Sequence, residues 1–372
     1  MEISLDVFEQ QRGRRFGGAN PERMRLAFWE WIIRNQEESR LREWSESGDL
    51  IRSPYQVRRH FGQEGDYSKG PIWNFERMGA SRTPHPDGRM ICIAGEHEDG
   101  YDPDFCIYND VVILDLDGSV EIYGYPRDVF PPTDFHSATL LGDRVIIIGS
   151  LGYEEDRRPG ATPVFALDLR DYRIVELPSH GESPGWIHSH SATLGPDGRI
   201  TIADGEWLPP QDDLPILFNF DEFAYDPLTG LWTRLTNRGW RQFLIRDAGG
   251  KSFMRDFGPL GCCSSDEEEA CEEPPKIEKW SISIDPGCIR PRSFAYEDVE
   301  TPFDEDWDFG KWRPNERFLV DGVPIGVDLS HPGIKLVVEG VMDPAKADQI
   351  AEECRQAVEA ATGRPCLLQG DS

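Results

Sequence analysis

Positive charge is scarce in this chain of 372 residues: 39 Lys and Arg stand against 68 Asp and Glu, a formal net charge of −29. Nucleic-acid phosphates and anionic membrane faces repel such a chain, so neither is expected as a partner. Long apolar runs are also missing. None approaches the roughly 18 to 20 residues needed to span a bilayer. The opening MEISLDVFEQ lacks the charged and apolar regions of a secretory leader. The 8 cysteines form no C-x2-C pair, and Cys262, Cys263, Cys271 and Cys288 match no standard zinc spacing. Several others sit inside apolar patterns, where a reduced thiol packs as a small hydrophobe. A soluble, cytoplasmic protein is expected. Gly-rich phosphate loops and H-E-x-x-H are absent. No catalytic residue, metal or cofactor is assigned.

What is present argues for a packed protein built of short strands. The chain is 38% hydrophobic and 11% aromatic, with 11 Trp, which excludes global disorder. Gly (36) and Pro (29) supply the turns that many short strands require. Residues 1–20 are polar and Gly-rich and are expected to be flexible. Asn20, Pro21 and Glu22 then read as a helix start, with Asn20 as the cap. The spacing of Phe28, Trp29, Ile32 and Ile33, extended by Leu41 and Trp44, predicts a helix over 21–46. Residues 21–72 as a whole are expected to be a helical segment packed on the strand-rich body that starts at Trp73.

From Trp73 an internal repeat governs the pattern. The phrases "GASRTPHPDGRMICIAG", "FHSATLLGDRVIIIG" and "HSHSATLGPDGRITIADG" carry the same order of features. Arg89, Arg144 and Arg199 hold matching places 55 residues apart. Each unit has a turn (Asp87-Gly88, Gly142-Asp143, Asp197-Gly198) before an apolar run, the order of a β-hairpin. "MICIA", "VIIIG" and "ITIAD" suit buried strands. A loop comes after each. Then comes a strand ending near Asp115, Asp168 or Asp226, and a closing strand, "VEIYG", "RIVEL" or "LWTRL".

Four strands repeated about every 55 residues is the order of a propeller blade. These residues resemble the kelch family, whose period is roughly 50. The third unit, "HSATLGPDGRITIADG" and then "FAYDPLTGLWTRL", matches best, with Tyr225 and Trp232 placed like the family's Tyr and Trp. The diglycine of the family is degraded to Ala94-Gly95, Gly149-Ser150 and Asp204-Gly205. The resemblance implies a mainly β fold, a kelch-like β-propeller segment with blades at about 73–126, 127–180 and 181–240 inside a body of 73–257. It also implies a protein-binding platform.

The remaining sequence reads as three pieces. Residues 258–276 form an acidic, flexible insert. Residues 277–320 are irregular or a degenerate blade. Residues 321–372 predict a small C-terminal α+β unit of order ββαβ, with Asp343 capping a helix and Gly363 ending it.

Candidate binding residues come from the loops after the apolar runs. The first loop supplies Glu96, His97, Glu98, Tyr101, Asp102 and Asp104; its carboxylates lack EF-hand spacing and read as solvated. The second supplies Tyr153, Arg157 and Arg158, the third Glu206 and Trp207. If the units are blades, these loops leave one face. They offer Tyr, Trp, Arg and carboxylates, residue types favoured in binding hot spots. His188 and His190 form an H-x-H pair, but His190 aligns with His136 and reads as a residue of the repeat. The expected partner is a protein, with the net charge pointing to a basic one, as for an immunity or inhibitor protein. The alternative is an enzyme acting on a carbohydrate or other small molecule through His97, His188 and acidic neighbours.

Overall fold

The computed structural model describes residues 3–13, 15–41, 57, 59–62, 73, 75, 77–97, 105–210, 216–251, 253, 316–320, 322–330, 333–341 and 343–370. The chain divides into two compact units. One is Met1–Leu208 with Glu222–Leu235, the other Pro209–Asp221 with Thr236–Ser372. Both are dominated by antiparallel sheets. The acidic 258–276 stretch, the 277–315 stretch and the four cysteines 262, 263, 271 and 288 lie outside the described residues.

The first unit holds three sheets that match the repeat. The first pairs Ser81–Pro84, Met90–Ile93, Val111–Leu114 and Val120–Gly124 in sequence order. The second pairs Ser137–Leu141, Arg144–Ile148, Val164–Asp168 and Ile174–Glu176. The third pairs Ser191–Leu194, Ile200–Ala203, Phe223–Asp226 and Leu231–Arg234. Registers agree from sheet to sheet: Ser81 lies opposite Ile93, Ser137 opposite Ile148, and Ser191 opposite Ala203. Arg89 and Arg199 share one contact, each binding the Asp two residues before it through backbone and side chain, and Arg89 also donates to the Tyr172 hydroxyl. Arg144 differs. Its hairpin closes with two turn residues, one fewer than its counterparts, and it faces Asp168 at 3.8 Å instead.

Alternation along the strands gives each sheet two faces, and the faces stack. Ile91, Ile93, Val111 and Ile113 of the first sheet meet Val145, Ile147, Phe165 and Leu167 of the second. The opposite face of the second sheet, Ile146, Ile148 and Val164, meets Ile200, Ile202, Phe223, Tyr225 and Trp232 of the third. Each such side chain contributes about 1.5–3 kcal/mol by leaving water.

The two ends of this stack are finished differently. Helices α1 (Leu5–Gln11) and α2 (Ala27–Leu41) cover the far face of the first sheet. Phe8, Phe28, Trp29, Trp31 and Ile32 pack there on Cys92, Val112, Val120 and Ile122. The far face of the third sheet is the row Thr193, Thr201, Ala224 and Thr233, small and largely polar.

The N-terminal region departs from expectation in two places. Residues 5–11 are helical, capped by Ser4, because Phe8 reaches the aromatic cluster and is fully buried there. The expected helix over 21–46 begins only at Ala27. Glu22–Met24 instead adds an antiparallel strand to Val120–Gly124, the open outer edge of the first sheet. Asn20 caps no helix; its side chain brackets the backbone of Ile174 through two hydrogen bonds of 2.7 and 2.9 Å. Long-range pairing here outweighs local cap preference.

The second unit contains a five-stranded sheet in the order Glu316–Val320, Val323–Ser330, Gly333–Val338, Arg241–Asp247, Cys366–Gly370. Helix α3 (Pro344–Thr362) is capped by Asp343 and ended by Gly363 at φ 66°. Its Ala347, Ile350, Ala351, Cys354 and Val358 cover one sheet face. The ββαβ order is present, but Arg241–Asp247 sits between the second and last of its strands. That strand, sequence-assigned to the repeat body, belongs to this unit. On the opposite sheet face, Phe218 exchanges two hydrogen bonds with the buried Gln242 side chain.

Candidate functional site

The repeat places equivalent residues at one end of the three-sheet stack. Each inner strand (Ser81–Pro84, Ser137–Leu141, Ser191–Leu194) is preceded by a left-handed residue: Gly79 at φ 62°, Phe135 at φ 48°, Ser189 at φ 54°. These residues link sheet to sheet. Phe135 N–H donates to Gly79 C=O at 2.8 Å, and Ser189 N–H to Phe135 C=O at 2.7 Å. The next residue repeats the pattern through its side chain: His136 Nε2 meets Ser81 Oγ and His190 Nε2 meets Ser137 Oγ, both at 2.8 Å. A third pair of links joins Gly95 N–H to Thr133 C=O and Ser150 N–H to Ile187 C=O, both at 2.9 Å. Among the described residues no fourth sheet of the repeat follows the third, and Ser191 Oγ donates back to Ala203 C=O of its own sheet.

The degraded diglycine positions serve this junction. Gly205, at φ 88°, leaves no room for a side chain, since a Cβ there would lie 2.6 Å from His188 O and 2.7 Å from His190 Cβ. Just beyond these positions, short antiparallel bridges pair Met78 with Glu96 and His188 with Glu206, while Leu151 N–H donates to Asp134 C=O. All three loops therefore leave the same end of the stack. Glu96, Asp134, His188 and Glu206 come from matched places in the repeat.

Most of these groups are inside the protein. Glu96 is 8% exposed, His97 1%, His188 6% and Asp134 0%. Asp134 Oδ1 accepts the Gly152 N–H at 2.6 Å and the Ser150 hydroxyl at 3.5 Å, whereas no N–H or hydroxyl donates to Oδ2. Burial raises the Asp134 pKa, against the pull of the Gly152 N–H, Glu96 and the Arg157 charge. Arg157 is anchored by the carbonyls of Leu151 (3.0 Å) and Gly152 (3.0 Å). His188 Nδ1 meets Ser189 Oγ at 3.0 Å and its Nε2 has no partner. Burial, with Arg157 adding to it, pushes its pKa down to about 4, so the ring is neutral at pH 7.

The other sequence-predicted residues fall in different settings. Tyr153 ties two loops together: its hydroxyl accepts the Ile107 N–H at 2.8 Å, with Phe105 and Arg127 against its ring. Arg158 makes an exposed pair with Glu176. Trp207, half-buried, packs against the cluster between the second and third sheets. Glu98, Tyr101, Asp102 and Asp104 lie outside the described residues. The H-x-H pair is split in role, because His190 serves the inter-sheet link and His188 faces Glu206. Among the described residues no group of three or more His, Cys, Asp and Glu is placed to hold a metal ion.

Asp134, Ser150 and Gly152 escaped the sequence reading, although Asp134 precedes His136 by the same two residues that separate His188 from His190. A cleft of about 550 Å³ on the same unit is lined by Arg23, Arg25, Ala27, Glu30 and Glu121. Its Arg23 is already paired with Glu121 and the Tyr123 hydroxyl, and exposed charges of both signs there contribute little. No helix among the described residues is long and apolar enough to cross a membrane. No protein-family model matches the chain, and no curated protein matches it.

Proposed function

We propose that the three-sheet unit is a segment of kelch-like blades serving as a binding platform for a protein partner. The recognition surface is the end from which the loops after Ile93, Ile148 and Ala203 depart. One observation carries this reading: three loops rich in aromatic and charged residues leave one end of a rigid, interlocked stack. The helical cover on the first sheet makes the stack a bounded arc of blades. The net charge of −29 favours a basic partner, with an immunity or inhibitor role as the specific form.

Enzymatic action on a carbohydrate has less support. Glycoside hydrolysis needs two carboxyl groups roughly 5 Å or more apart, flanking the bond to be cut. Glu96 and Asp134 are instead buried, 8% and 0% exposed, and Asp134 Oδ1 is committed to the Gly152 N–H.

The test compares affinity capture from the source cell by the intact chain and by a chain with residues 98–104 replaced by a Gly/Ser segment. A basic protein captured by the first and lost by the second is the expected result. Equal capture by both chains, or a strongly acidic captured protein, would overturn the reading.

A further inference from the structure

We propose that Arg157 and His188 form a two-donor site for a carboxylate group, at the end of the stack from which the loops depart. This inference rests on the reading of that end as the recognition surface, and it names the chemical group the surface receives. Arg157 is clamped by its own loop. It follows the short turn Glu154–Asp156, and its Nε donates to Leu151 C=O at 3.0 Å and to Gly152 C=O at 3.2 Å. Its Nη2 donates to Gly152 C=O at 3.0 Å. Among the described residues Nη1 has no partner, and the guanidinium makes no ion pair. The chain carries 68 acidic against 39 basic residues, so an Arg without a carboxylate partner stands out. The arginines nearby are neutralised: Arg127 by Glu155 and Asp156 at 2.8 and 2.7 Å, Arg158 by Glu176 at 2.9 Å. Asp134 accepts the N–H of the same Gly152 and forms no ion pair with Arg157.

His188 reaches the same place from the strand Trp186–His188. Trp186 Nε1 donates at 3.2 Å to the Leu151 carbonyl that also holds Arg157. Residues two apart on a strand share a face, so His188 lies on the side where Trp186 meets this loop. Ser150 N–H, bonded to Ile187 C=O at 2.9 Å, fixes the start of the loop against the strand. His188 is 6% exposed and its Nε2 has no partner. Ser189 Oγ stands 3.0 Å from Nδ1; when that hydroxyl donates, the ring proton belongs to Nε2.

A guanidinium clamped along one edge presents the other already ordered, so little conformational freedom is lost when an anion arrives. N–H groups from Arg157 and His188 suit the two oxygens of one carboxylate, with the charge-assisted bond at Arg157 the stronger. Phosphate fits less well. The net charge of −29 opposes a second negative charge, and the His188 ring is neutral at pH 7 and adds none of its own. A protein partner can supply the carboxylate from an acidic side chain or from its chain terminus, and the chemistry at Arg157 is the same.

Titration of the full chain with acetate at neutral pH, followed by NMR of the Arg157 guanidinium and the His188 ring, tests the site. Saturable shifts at both groups, with a millimolar dissociation constant, are the expected result. Arg157→Gln should abolish the shift at His188, His188→Phe should weaken binding about tenfold, and Arg158→Gln should leave it unchanged. N-acetylglycine and the α-methylamide of N-acetylaspartate, titrated in parallel, separate a chain-terminal from a side-chain carboxylate; tighter binding of either supports the site and names the source. No saturable shift in the wild-type chain, a result that depends on no variant folding, would overturn the proposal. Unchanged affinity in His188→Phe, or tighter binding of inorganic phosphate than of acetate, would do the same. The titration needs no protein partner, so its failure is distinguishable from failure of the platform reading.

Discussion

His190 reaches across from the third sheet to place Nε2 2.8 Å from Ser137 Oγ, the first residue of the second sheet. Both side chains are buried. The bond therefore joins two sheets by chemistry that the repeat itself encodes: the His136-Ser137 dipeptide gives its His back to Ser81 and its Ser forward to His190. His190→Ala should cost about 1–3 kcal/mol, because it leaves a buried hydroxyl without its partner. Urea unfolding of His190→Ala, Ser137→Ala and the double variant checks this. The two single effects should not add.

Burial pushes the pKa of His136 to about 4, of His188 to about 4 and of His190 to about 3. Each lies below the ordinary value of about 6.5, so the unfolded chain binds protons that the folded chain refuses. The contribution of these rings is complete above pH 6.5 and is lost as pH falls toward 4. Stability measured at pH 7, 5.5 and 4.5 should decline through that window, with uptake of up to about three protons on unfolding. His190→Ala should take up fewer.

Gly205 and Gly198 share left-handed torsions, φ 88° and 81°, yet differ in space. A Cβ at Gly198 meets nothing within 4 Å, whereas one at Gly205 strikes the backbone of His188 and His190. Gly198→Ala should cost about 1–2 kcal/mol from torsion alone. Gly205→Ala should cost more and disturb the third sheet; the two midpoints of thermal unfolding make the comparison.

Phe28 is fully buried between α2 and the first sheet, ringed by Phe8, Phe61 and Trp73. Phe28→Ala should destabilise by about 3–5 kcal/mol. It should also raise binding of a hydrophobic dye, because the apolar face beneath Cys92 and Ile122 would open to water. Denaturant unfolding and dye fluorescence measure both effects.

The sheets were legible because each repeats a local signal: a Gly turn, an apolar run, and an Asp at the end of the next strand. Junction chemistry was half legible. The doubled "HSAT" phrase marked His136 and His190 as repeat residues, but Asp134 sits in "PPTDFHS", where nothing local distinguishes it from a loop acid. Its role comes from Ser150 and Gly152, 16 and 18 residues away. Glu22–Met24 was misread because a three-residue strand has no period, and only the open edge at Val120–Gly124 makes it one. Arg241–Asp247 comes after the last repeat without a break in pattern. Its membership in the other unit is decided by partners about 90 and 120 residues downstream.

If the described sheets end at the aromatic helices on one side and the threonine-rich row on the other, their number is not set by having to meet each other in a ring. A ring admits only those repeat numbers whose rotations sum to a full circle. A stack with dedicated end pieces tolerates a duplicated middle sheet, since each new junction would reuse the same His, Ser and backbone contacts. Inheritance of such a gene could lengthen or shorten the protein one unit at a time, with the terminal pieces unchanged.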